Sequence, residues 1–291
     1  MAESLRLMAV HAHPDDESSK GAATTARYVG EGVDVLVVSC TGGERGEVLN
    51  PGFGPVEAGL DAMAQLRRTE MAAARAALGV RHHWLGFVDS GLPEGDPLPP
   101  LPDGCFARQP LESAAAPLVE LVRRFRPHVM TTYDPSGGYP HPDHVMCHRV
   151  SVEAFEAAAD ADRYPGEAEV WAVSKLYYDH GFSLAKIRAL HEACLDAGRA
   201  SPFGEWIESR QAREVPARPV TTRVECAAYF GARDAALLAH ASQVDPEGFF
   251  FAVPRDLEAR VWPFEEFELA TTRVMTGLPE DDLFAGLRGQ A

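Results

Sequence analysis

The chain has 291 residues, of which 46% are hydrophobic and 24% charged, and a formal net charge of −16. That length buries a substantial core, in one large α/β domain or in a domain with an elaboration. The excess of carboxylates excludes a binder of phosphate backbones, which needs Lys and Arg to displace counterions, so nucleic acid is not an expected partner.

Cys40, Cys105, Cys147, Cys194 and Cys226 are scattered, odd in number and free of C-x-x-C spacing. They point to a reducing cytoplasm, without a disulfide frame or a structural zinc knuckle. Met-Ala-Glu-Ser leads into a short apolar run with no basic leader, so no signal peptide is expected. No apolar stretch approaches the roughly 20 residues that span a bilayer, and a membrane is not expected as a partner either. Lysine occurs only at Lys20, Lys175 and Lys186.

Residues 5–12 read as a strand, 18–31 as a helix that Ser18 or Ser19 could cap, and 33–39 as a nearly all-apolar strand. Such a strand suits a parallel sheet covered on both faces, and the three elements form a βαβ unit. A glycine loop at 41–46 and a Gly/Pro-rich stretch at 50–59 precede a helical period over 61–78, with Gly79 at its C-cap. A third strand follows at 82–87, then a Pro/Gly-rich loop over 93–104, a helix over 111–125 and a fourth strand at 128–133. A helix opens near residue 142 and runs to about 159, and 170–178 is a fifth strand. Beyond 180 the pattern weakens to helices near 183–197 and 226–242, a polar run at 209–219, a strand at 220–224 and a strand or packed loop at 249–253. The expected fold is α/β and Rossmann-like: a mostly parallel sheet flanked by helices. Residues 1–180 form the catalytic core, and 181–291 a C-terminal elaboration packed on it and walling the pocket.

Two clusters carry chemistry. His11-Ala12-His13-Pro14-Asp15-Asp16-Glu17 ends the first strand, at the sheet edge where open α/β sheets bind ligands. His13 and Asp16 are three apart and share a face if the chain turns helically. They suit a metal, while Asp15 projects elsewhere and suits a general base. An acidic first helical turn beside a histidine would look the same. The second cluster, Tyr139-Pro140-His141-Pro142-Asp143-His144, repeats the arrangement after the fourth strand and supplies a third ligand and a spare histidine. Two histidines, one carboxylate and an open position form the pattern of catalytic zinc, and the chemistry implied is hydrolysis. Fe(II) accepts the same donors.

At these clusters the chain resembles the LmbE-like zinc deacetylases, which include the N-acetylglucosaminyl-phosphatidylinositol de-N-acetylases. The resemblance implies a zinc-dependent amide hydrolase with His13, Asp16 and His144 as metal ligands and Asp15 as general base. It also implies His141 as stabiliser of the tetrahedral intermediate or proton donor to the amine, Asp143 tuning the histidines, and Tyr139 polarising the carbonyl. Pro140 stands where many members have Gly, which bears on the freedom of the Tyr139 loop and not on the metal site. His11–Thr24 with Lys20, and Phe250–Arg255 with Val261-Trp262-Pro263, are similar to members that act on S-conjugates of mycothiol, a small-molecule thiol. The alternative within the family is the acetylglucosaminyl-inositol deacetylase of mycothiol synthesis, or a natural-product relative. Lys20 would hydrogen-bond an acylcysteine oxygen that a plain acetyl group lacks. Arg68 and Asp89 would grip sugar and inositol hydroxyls, though Arg68 also reads as an exposed helix charge and Asp89 as a turn residue.

Glu17 reads as a second carboxylate that orients a ligand, or as a helix-terminal charge. His240 and Gln243 could reach the site from the C-terminal part. A Cys147–His148 nucleophile pair is weaker, since Cys147 sits among apolar residues mid-helix. A dinucleotide-binding protein is disfavoured because no G-x-G-x-x-G follows the first strand. A non-catalytic binder on the same scaffold stays open, as does oligomeric state.

Overall fold

Short runs of Val, Leu, Met and Ala separated by amphipathic helices build a seven-stranded sheet in a computed structural model that describes residues 4–57, 59–212 and 218–289, with the backbone alone at 211 and 212. Strands β1 (Arg6–His11), β2 (Asp34–Thr41), β3 (Arg81–Phe87), β4 (Val129–Thr132) and β5 (Lys175–His180) are parallel. Strands β6 (Thr222–Glu225) and β7 (Phe264–Thr272) extend the sheet antiparallel, in the order β3-β2-β1-β4-β5-β7-β6. The helices in chain order are α1 (Asp16–Ser19), α2 (Ala22–Gly30), α3 (Leu60–Leu78), α4 (Leu111–Phe125), α5 (Pro142–Ala157), α6 (Leu184–Asp196), α7 (Gly204–Ala212), α8 (Phe230–Ala239) and α9 (Arg255–Val261).

Alternation along the strands divides the core. Met8 and Val10 of β1 pack with Leu36, Val38 and Met130 beneath α4 and α5, while Leu7 and Ala9 pack with Val35, Val37 and Tyr177 beneath α2, α3 and α8. Both faces of the central strands are therefore dry, which is why they read as unbroken apolar runs. Each fully buried Val or Leu contributes about 1.5–3 kcal/mol. A smaller cluster joins α6 and α9 through Ile187, Leu190, Leu257 and Trp262.

The chain leaves β1 toward β2 on one side, and β4 pairs with β1 on the other. That reversal opens a crevice at the carboxyl ends of β1 and β4, and both sequence clusters start there.

The Rossmann-like, mostly parallel sheet expected from the sequence is the fold of the chain. Several details differ, and α7, α9 and β7 have no counterpart among the elements read from the sequence. The helix read over 18–31 breaks into α1 and α2, because Lys20 is extended and Gly21 takes a left-handed φ of 74°. The fifth strand starts at Lys175, not 170, because the Trp171 N–H donates to Ala158 of the neighbouring helix end. The sheet also crosses the 180/181 boundary: β7 pairs with β5 and with β6, and Phe249–Phe251 is one 3-10 turn. Part of the polar run, residues 213–217, lies outside the described residues.

A buried ion pair fastens the chain's end beneath β5. Lys175 Nζ lies 2.5 Å from Glu280 Oε1, and the Tyr177 and Thr222 hydroxyls donate to Glu280 Oε2 at 2.5 and 3.0 Å. Glu280→Ala strands the Lys175 ammonium in the core, so it is expected to cost about 3–5 kcal/mol in urea unfolding at unchanged m value. A loss within the about 1 kcal/mol of an exposed pair would contradict this.

Candidate metal centre

The site begins with a backbone distortion. His13-Pro14 leaves β1, and Asp15 takes φ 108°, a region that residues other than glycine adopt at a cost of about 1–3 kcal/mol. The distortion lets Asp15 precede α1 while Asp16 turns back toward the strand. Asp16 Oδ2 accepts from the His13 N–H (3.0 Å) and the Tyr133 hydroxyl (2.6 Å), and Oδ1 accepts from Lys20 Nζ (2.6 Å).

His13 Nδ1 lies 3.4 Å from Asp16 Oδ2, and His144 Nε2 lies 3.5 Å from the same oxygen. Donors about 2.0–2.1 Å from a tetrahedral ion stand roughly 3.4 Å apart, so each of these two nitrogens stands at ligand spacing from the Asp16 oxygen. Second partners orient the histidines. His144 Nδ1 donates to the Gly137 carbonyl at 2.9 Å, which leaves Nε2 with its lone pair. Among the described residues that buried Nε2 has no hydrogen-bond partner. His13 Nε2 donates to Asp143 Oδ2 at 3.2 Å, which leaves Nδ1 facing Asp16. Asp143 is in turn held by the Ser90 backbone N–H at 2.8 Å and by the Ser90 hydroxyl. An orphaned ring nitrogen, a second oriented ring and a carboxylate at ligand spacing fit a divalent cation.

The electrostatics agree. Burial opposes charge on His13, yet Asp143, Asp16 and Asp89 together hold its pKa well above the usual histidine value. Burial likewise disfavours an ionised Asp16, but Lys20, His144 and His13 keep it well below the usual carboxylate range. The surroundings thus stabilise positive charge between these groups.

His141 caps α5, and its Nδ1 accepts the Asp143 N–H at 3.1 Å. A neutral His141 therefore carries its proton on Nε2. Burial, followed by the rings of His13 and His144, pushes His141 down to about 3. Its ring centroid is 4.6 Å from that of His13. Tyr139 is half exposed, with its ring centroid 4.7 Å from His144, on the open side of the centre.

Arg67 reaches across from α3. Its Nη2 donates to Asp15 Oδ2 at 2.7 Å and to the Pro14 carbonyl. Arg68, expected to grip sugar hydroxyls, is exposed and stacks its guanidinium 5.0 Å from the Trp84 ring centre. Arg67 lies on the buried stripe of α3 with Glu70, Met71, Ala74 and Leu78, and one residue turns Arg68 about 100° away. That i, i+3, i+4, i+7 spacing is present in the sequence. Lys20, expected to meet an acylcysteine oxygen, has its ammonium on Asp16 and the Ser19 hydroxyl. Asp89 is buried, with Oδ1 3.5 Å from His13 Nε2, and it accepts the Gly91 and Arg45 backbone N–H groups. Tyr133 and Ser90 escape a reading of the sequence, since neither belongs to a motif. Cys147 is buried with its sulfur 3.6 Å from the Cys40 sulfur, and His148 Nδ1 bonds the Tyr133 carbonyl at 3.0 Å.

Beside the centre lies a cavity of about 340 Å³, lined by Lys20, Tyr139, Asp179, Phe182, Trp206 and Arg210 among others. Neither Asp179 carboxyl oxygen has a hydrogen-bond partner among the described residues, and burial pushes its pKa up to about 8.

Residues 8–155 match the family described as PIG-L, GlcNAc-PI de-N-acetylase. Over 297 residues, all of both chains, the protein is 57% identical to the mycothiol S-conjugate amidase of Streptomyces coelicolor. It is 40% identical over 300 residues, 97% of this chain and 89% of the relative, to a 1D-myo-inositol 2-acetamido-2-deoxy-alpha-D-glucopyranoside deacetylase of Streptomyces griseus. In fold it resembles the N,N'-diacetylchitobiose deacetylase of Pyrococcus horikoshii, with a TM-score of 0.60 at 16% identity over 92% of this chain and 84% of that one.

Asp179 gives this region a pH signature. An ordinary Asp ionises near 3.8, so between pH 4 and 8 the unfolded chain gives up this proton while the folded one keeps it. Stability falls across that window and levels off above it. Asp179→Asn removes the fall. Its melting temperature relative to the parent is expected to climb from pH 5 to pH 8.5, by the equivalent of a few kcal/mol, since each tenfold change in proton affinity is worth about 1.4 kcal/mol. A pH-independent difference would contradict the assignment.

Proposed function

The chain belongs to the GlcNAc-PI de-N-acetylase (PIG-L) family, and from that premise we propose that it is a zinc-dependent amide hydrolase acting on S-conjugates of mycothiol. Water adds across the amide between the cysteinyl unit and glucosamine, releasing an N-acetylcysteine S-conjugate and the free amine of glucosaminyl-inositol. The chemistry rests on His13 Nδ1 and His144 Nε2, each at ligand spacing from Asp16 Oδ2, with Asp15 beside them. The choice of substrate rests on the 57% identity that runs the length of both chains.

His13, Asp16 and His144 hold the ion. When bound, it supplies a Lewis acid that polarises the amide carbonyl and acidifies a water. Arg67 ties down Asp15 Oδ2, and Oδ1 takes the proton of the attacking water. His141, protonated on Nε2, donates to the oxygen that gains charge or to the leaving nitrogen. Tyr139 closes on the same oxygen from the open side, so that two donors converge on the developing charge. Asp143 acts through His13, whose ring orientation it fixes, and Lys20 acts through Asp16 in the same way. Asp89 lies close enough to hold His13 from the same side as Asp143. Iron(II) suits this donor set too, and metal analysis of protein purified without added metal decides between them. The substrate is a small molecule. Among the described residues no helix is long and apolar enough to cross a membrane.

A second reading, deacetylation of acetylglucosaminyl-inositol, has the 40% identity to a deacetylase behind it. Zinc-loaded protein offered both compounds separately tests the two. The conjugate is expected to be cleaved with the higher kcat/KM, and preference for the acetyl compound would overturn the amidase reading.

Two substitutions test the roles. Asp15→Ala is expected to lower kcat by about 10²–10⁴ with metal content unchanged, the span of a lost general base. Near-normal turnover would refute the assignment. Arg67→Leu is expected to cost about tenfold to a hundredfold, as misplacing a reacting group does, whereas Arg68→Ala stays within about twofold of the parent. The reverse ranking in steady-state assays would restore Arg68 to the site.

A further inference from the structure

Asp15 cannot hold its φ of 108° unaided, and the contacts that hold it reach into the last third of the chain. Glu17 Oε2 accepts the Asp15 backbone N–H at 2.9 Å. Glu17 Oε1 accepts from the Ser18 hydroxyl at 2.5 Å and from His240 Nε2 at 2.7 Å. His240 ends α8, which packs on α1, α2 and α3, and it lies 223 residues from its partner. Both side chains are shut away from water: Glu17 is 2% exposed and His240 0%.

The alternatives available to such a pair are glue and positioning. Glue would join α8 to α1, but α8 is already fastened beside it to α2 and α3, through Ala236 packed in one cluster with Ala22, Ala26, Met71 and Ala74. The carboxylate is also spent in a particular way. One of its oxygens is turned inward onto the N–H of Asp15, the residue of left-handed backbone beside the candidate metal ligands, and the other is fixed by two donors. Remove that acceptor and Asp15 has every reason to relax toward negative φ, which swings its carboxylate off the line set by Arg67.

We propose that the Glu17–His240 pair is a positioning device for Asp15, by which the C-terminal third clamps the general base in its left-handed conformation. His240 orients Glu17, Glu17 fixes the Asp15 N–H, and Arg67 fixes the Asp15 carboxylate and the Pro14 carbonyl. Neither member of the pair touches substrate. The inference rests on the reading of Asp15 as the base.

The test uses the full-length zinc-loaded protein and a fluorescent mycothiol S-conjugate, with kcat, KM and zinc per chain measured for each variant. Glu17→Ala is expected to lower kcat by about tenfold to a hundredfold, with KM and zinc content unchanged. Glu17→Met, which keeps volume without an acceptor, carries the same expectation if the alanine variant does not fold. Glu17→Gln keeps an acceptor for the Asp15 N–H, and His240→Gln keeps a donor for Glu17. Both are expected to recover kcat to within about threefold of the parent. In an Asp15→Ala background, Glu17→Ala should slow turnover no further, because residues that act through one group are not additive. Parental kcat in Glu17→Ala, or an equal further loss in the Asp15→Ala background, would overturn the proposal while leaving Asp15 as the base. Normal turnover by Asp15→Ala itself would overturn the base assignment and the clamp with it.

Discussion

Two carboxylates adjacent in the sequence face different partners, and the left-handed backbone at Asp15 separates them. Asp16 turns in to the histidines and Tyr133; Asp15 turns out to Arg67. With ordinary helical backbone at Asp15 both would sit on one acidic turn, repelling each other and serving neither purpose. The distortion is tolerated because it is held from several sides: Ser18 and Ser19 donate to the Asp15 carbonyl, Glu17 accepts its N–H, and Arg67 grips its side chain. The rest of the structure supplies those holds from α3, α8 and the sheet.

The sheet contributes position more than chemistry. Because β4 lies against the other side of β1 from β2, loops that are far apart in the chain rise from adjacent strand ends. The first brings a ring with a carboxylate three residues on; the second brings two rings three residues apart at the start of α5. Each ring has one nitrogen committed to a protein acceptor and the other turned inward, or, for His141, the converse arrangement that presents a proton. The net negative surroundings of His13 then favour a cation where the inward atoms meet.

Much of this is legible in the sequence. The paired His/Asp motifs are local, and their residues act within a few positions of a strand end, so spacing alone brings them together. The unbroken apolar strands and the amphipathic helices likewise carry their own patterns, and the parallel core follows from them. What is not legible depends on contacts distant in the chain. Arg68 reads as a site residue although Arg67 is the one that reaches Asp15, because a motif gives residue types without the rotation of the helix that carries them. Glu17 and His240 each stand out in the sequence, but nothing local joins residues 223 positions apart. The late strand β7 does alternate polar and apolar residues over Glu266, Phe267, Glu268 and Leu269, but its place between β5 and β6 depends on partners distant in the chain.

Everything proposed for the chemistry depends on which atoms hold the ion, and the structure offers rivals to His13, Asp16 and His144: among the described residues, ligand atoms of His13, His141 and His144, and of His13, Asp89 and Asp143, lie within 4.8 Å of one another. A crystal of zinc-loaded protein with anomalous data at the zinc edge separates them. The expected result is one ion about 2.0–2.2 Å from His13 Nδ1, Asp16 Oδ2 and His144 Nε2, with His13 Nε2 still on Asp143 and His141 unligated. An ion on His13 Nε2 between Asp89 and Asp143, or one that takes His141 in place of Asp16, would contradict it.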